Sequence, residues 1–89
     1  MNKETYKRAT ELLNAIAYGE RCVSVIETML ERFDDRRHTQ IEVTCKGGQY
    51  DVGLSIRNDQ LPELREALQK GLERFRNEVI ENQAKLEAL

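Results

Sequence analysis

Eight apolar or small residues recur without a break at alternating steps of three and four: Ala9, Leu12, Ile16, Gly19, Val23, Ile26, Leu30 and Phe33. This is the period of a helical stripe that faces another helix, and it predicts one helix from about residue 3 to residue 34. Such a helix is roughly 45 Å long at ~1.5 Å per residue, and its stripe needs cover along that whole length. Leu13, Cys22 and Met29 widen the stripe. Gly19, in "IAYGERC", is the weak point, because glycine costs about 1 kcal/mol against alanine inside a helix and can also end one. The phase nevertheless holds across it, with Ile16 and Val23 one heptad apart. A continuous helix is therefore expected, with Gly19 allowing a close crossing.

The next apolar pattern has a different period. In "IEVTCKGGQYDVGLSI", Ile41 to Ile56, apolar and polar residues alternate on both sides of Gly47-Gly48. Alternation marks half-buried strands, and paired glycines mark a tight turn. A hairpin over about 39–57 with its turn at Gly47-Gly48 would set Cys45 against Tyr50, Val43 against Val52 and Ile41 against Leu54. Thr44 would then meet Asp51, and Glu42 would meet Gly53. Gly53 on the polar side signals a bulge or a close backbone contact.

A second helix, about 59–88, follows "NDQLPEL". Asn58 or Asp59 can cap its free amides, and Pro62 suits a first turn, where its missing N–H breaks no bond. Leu61, Leu64, Leu68, Leu72, Phe75, Val79, Leu86 and Leu89 continue at helical spacing. Glu66–Lys70 and Glu81–Lys85 are i,i+4 pairs in the favourable order, each worth a few tenths of a kcal/mol.

The order α-β-β-α in a single domain over 1–89 follows, as an α+β fold: two long antiparallel helices with a two-stranded antiparallel hairpin packed on them. The lengths do not match. A strand of about seven residues spans roughly 23 Å, so the hairpin covers only about half of either helix. The remaining lengths would be a bare helix pair with wet flanks at Leu13 and Ile80. A second copy of the chain supplies the missing cover most economically, and a homodimer is expected. Two assemblies meet that need: a helical bundle, with coiled-coil-like packing, through Leu72, Phe75, Val79, Asn82, Leu86, Leu89, Leu13 and Ile16, or a four-stranded sheet formed edge to edge across the dimer. Asn82 interrupts the apolar seam, as residues that fix register in coiled coils do; the simpler reading is a solvated side chain where the seam frays.

Chemical motifs are sparse. The single His38, in "DDRRHTQ", has Asp34 and Asp35 near it in sequence but no positioned nucleophile. Cys22 and Cys45 are 23 positions apart and read as small buried hydrophobes, not as a disulfide framework or zinc knuckle. "KGG" lacks the frame of a phosphate loop. No catalytic, cofactor-binding or metal residues are assigned, and no cofactor is expected. The charge is −2 overall, yet residues 36–57 carry +2 through Arg36, Arg37, Lys46 and Arg57 against Glu42 and Asp51. Those four cations are the candidate contacts for nucleic acid, each neutralised phosphate steepening the salt dependence by about 0.9. "MNKETYKR" has no apolar signal core, so a cytoplasmic protein beginning at its own Met1 and not inserted in a membrane is expected. The reading is a small non-enzymatic homodimer that binds another protein in an adaptor or regulatory role. The alternative is a weak nucleic-acid accessory protein using 36–57.

Overall fold

The computed structural model describes residues 2–35 and 40–89. In chain order the elements are α1 (Lys3–Phe33), β1 (Gln40–Cys45), β2 (Val52–Arg57) and α2 (Pro62–Glu87). The α-β-β-α order is the one the periodicities predict.

Helix α1 runs unbroken through Gly19. Its first turn is capped by Asn2, whose side-chain oxygen accepts from the Thr5 amide at 2.8 Å, satisfying one of the donors that a helix start leaves free. Every member of the three-four stripe is buried or half-buried, with Leu12, Ile16, Gly19 and Phe33 fully so. The partner is α2, where Leu72 is buried and Leu64, Leu68, Phe75, Val79, Asn82 and Leu86 are half-buried. The helices cross most closely at Gly19: a Cβ there would stand 2.6 Å from Val79 Cγ2. Two ion pairs clamp the seam from outside, Arg76 to Glu27 at 3.1 Å and Arg65 to both oxygens of Asp34 at 2.5 and 2.9 Å.

The strands pair antiparallel as expected, but the register differs by two residues. Ile41 faces Ile56, Val43 faces Leu54, Cys45 faces Val52, Thr44 faces Gly53 and Glu42 faces Ser55. The connection is therefore the six-residue stretch 46–51 and not a two-residue turn at Gly47-Gly48. Gly47 still supplies the left-handed backbone of the bend, at φ 109°, where a side chain would be strained. Gly53 sits in an uninterrupted ladder with no bulge; a Cβ there would come within 3.3 Å of Thr44 Oγ1. A slip of two leaves each residue on the same face. Ile41, Val43, Cys45, Val52, Leu54 and Ile56 thus form one apolar side, and Gln40, Glu42, Thr44, Ser55 and Arg57 the polar one.

The start of α2 departs from expectation. Its cap residue is Leu61, which makes no side-chain bond, while Pro62 takes the first position as expected. Asn58 instead donates to the backbone oxygens of Phe33 (2.9 Å) and Asp35 (3.2 Å). It closes the carbonyl end of α1 rather than the amide end of α2, and Asp59 pairs with Arg57 at 3.3 Å.

Packing of the hairpin on the helices is confined to its root. Ile41 and Ile56 are half-buried, the other strand residues are exposed, and no strand Cα lies within 8 Å of a helix Cα. A helix of 31 residues is about 46 Å long, close to the longest dimension of 53 Å. Two packed helices are about 14 Å across their Cα atoms, against a second dimension of 34 Å. The excess of about 20 Å is the reach of a six-residue strand. The hairpin stands out sideways from the end of the helix pair as an arm.

Candidate interaction surface

An arm of this kind leaves its apolar side uncovered. Val52 is 69% exposed and Leu54 57%, and Cys45 is exposed as well, against the expectation of a buried thiol. The face assignment holds for Cys45; burial fails because none of the described residues outside the arm covers it. Cys22, on α1 beside the seam, is half-buried where a buried thiol is expected.

A second apolar row lies on the helix pair. Tyr18, Cys22, Val25 and Met29 recur at steps of four, three and four along α1, a stripe rotated away from the seam. Tyr18 is 66% and Val25 50% exposed. The Tyr18 ring meets Phe75 of α2 edge-on at 6.5 Å, and these residues share a shallow groove with Ile26. The neighbouring Cys22 thiol holds the Tyr18 hydroxyl's pKa above the usual phenol value. At the arm's root Met29, Phe33, Ile41 and Leu68 line another groove. Arg32, Gln40 and Glu42 line it as well, so it joins the end of the helix row to the root of the arm. The exposed row was hidden from the three-four reading because only Cys22 and Met29 of its four members stood out beside the main stripe.

The expected interface residues divide. Ile16 and Leu72 are buried in the chain's own α1–α2 seam, and Phe75, Val79, Asn82 and Leu86 are half-buried along it. Leu13 and Leu89 point outward at 55% and 52% exposure. Of the candidate nucleic-acid contacts, Arg36 and Arg37 lie outside the described residues, as does His38. Arg57 lies at the root of the arm, opposite Gln40 and paired with Asp59. Lys46 follows Cys45 at the tip, roughly 20 Å away by strand rise. Those two cations do not form one patch.

Asp34 and Arg65 perturb each other. The hydrogen bond from Arg65 holds the Asp34 carboxyl below its ordinary range, and the same pairing raises the guanidinium. They lock the end of α1 to the start of α2, where the arm is rooted. Among the described residues no helix is long and apolar enough to cross a membrane, and no group of three or more His, Cys, Asp or Glu side chains is arranged to hold a metal ion. The chain matches no protein-family model, no curated protein and no solved structure.

Proposed function

We propose that the chain is a non-enzymatic homodimer that works by binding another protein, in an adaptor or regulatory role. The observation that carries this reading is surface area. A folded monomer of this mass is expected to expose about 5,400 Å², whereas the chain exposes 7401 Å². The excess is about 2,000 Å² per chain, within the span that obligate dimers bury. The radius of gyration agrees: 17.3 Å, against about 12 Å for a compact chain of this length. Tyr18, Val25 and Met29 on α1, and Val43, Val52 and Leu54 on the arm, are exposed apolar side chains grouped in rows, which is how association surfaces differ from scattered apolar residues.

Sedimentation velocity tests the reading. A species near twice the chain mass of 10.4 kDa supports it; a monomer across the micromolar range rejects it. The nucleic-acid alternative predicts a salt-sensitive gel shift that Lys46→Ala with Arg57→Ala abolishes. A shift that survives both substitutions removes those residues from that role.

A further inference from the structure

The two uncovered apolar surfaces match in size. Tyr18 to Met29 spans eleven residue steps of helix, about 16 Å. Each strand of the arm spans five residue steps, about 17 Å. One end of each surface borders the root groove, through Met29 and Ile41.

We propose that the apolar side of the β1–β2 arm packs on the Tyr18–Met29 row of a second copy of this chain, each copy seating its arm on the other about a two-fold axis. This inference rests on the homodimer reading and names its surface. Three features of the chain point to a second copy as the occupant. The excess area of about 2,000 Å² is what reciprocal burial between two chains would remove. The arm also stands clear of its own helices, with no strand Cα within 8 Å of a helix Cα, and Asn58 anchors its root to the Phe33 and Asp35 carbonyls. Finally, a two-fold operator brings each chain's arm to the other's helix row in one step, the self-complementary arrangement that closed dimers require. The isolated arm needs this cover, since a two-stranded hairpin alone in water is marginal.

The test uses three full-length variants at exposed positions: Val25→Glu on the helix row, Leu54→Glu on the arm, and Ile80→Glu. Ile80 is 62% exposed and lines a separate groove with Glu20, Val23 and Arg76. Dimer dissociation is measured by sedimentation, with helix content checked by circular dichroism. Val25→Glu and Leu54→Glu should each weaken the dimer at least about tenfold, the effect of about 1.4 kcal/mol. Ile80→Glu should leave it within about twofold. A dimer insensitive to either Val25→Glu or Leu54→Glu overturns the arm exchange while leaving the homodimer standing. A monomeric wild type overturns both. If a glutamate variant loses helix content, Val25→Ser and Leu54→Ser replace it, with weakening expected from each and insensitivity again overturning the exchange.

Discussion

Gly19→Ala should destabilise the chain although alanine is the better helix former. The substitution gains about 1 kcal/mol of helix propensity. Against that, the new Cβ would sit 2.6 Å from Val79 Cγ2, with the Phe75 backbone oxygen 4.0 Å away, so Val79 or the helix axes must move. Val79 is β-branched, and in a helix such side chains hold essentially one rotamer. The strain is therefore taken by the seam, and overpacking of this kind costs about 1–3 kcal/mol. The net expectation is a loss of up to about 2 kcal/mol, which lowers Tm by several degrees in a domain of this size. A double-mutant cycle isolates the cause. In a Val79→Ala background the obstructing methyl is gone, so Gly19→Ala should become stabilising by about 1 kcal/mol, a coupling of about 1–3 kcal/mol. Urea unfolding followed by helical circular dichroism, at one fixed protein concentration, measures all four corners. A Gly19→Ala that stabilises wild type as much as the Val79→Ala background would refute a close crossing at that point.

Three further substitutions probe the ends of the helices and the seam. Asp34→Asn should flatten the acid limb of stability: the folded pKa of Asp34 is depressed, so its contribution is complete above the ordinary carboxylate value and lost as pH falls through the lowered one. Denaturation midpoints measured from neutral to strongly acid pH show this as a smaller acid loss in the variant, and an unchanged acid limb contradicts it. Asn58→Ala removes both bonds to the α1 carbonyl end and should cost about 1–2 kcal/mol, with faster amide exchange in β1 and β2; exchange speeding only in the helices would disagree. Asn82→Leu should raise the unfolding midpoint and leave the solution mass unchanged, because Asn82 lies in the seam within one chain. Light scattering that finds higher or mixed oligomers would place Asn82 at a seam between chains.

The sequence carried the helices well because their signal is local. Eight stripe positions in phase decide both the length of α1 and the passage through Gly19, and the structure buries or half-buries each of them. The hairpin was legible in its faces and not in its register. Registers two residues apart place the same side chains on the same side, so alternation cannot separate them, and Gly47-Gly48 suggested a tighter turn than the six-residue connection that forms. Asn58 shows a different limit. Its position before Pro62 fits a cap on α2, but a carbonyl end only adjacent in space, on α1, takes its amide. Cys45 shows the same limit for burial, since the pattern gives the face a residue occupies and not what covers that face.

The central claim is that this chain does not hide its apolar surface without a second copy. Unfolding midpoints at protein concentrations a hundredfold apart test it most directly, because a fold completed by dimerisation is linked to protein concentration by mass action. The midpoint should rise with concentration; a midpoint that stays constant over that range would mean that a single chain is stable with its arm uncovered, and the account would fail.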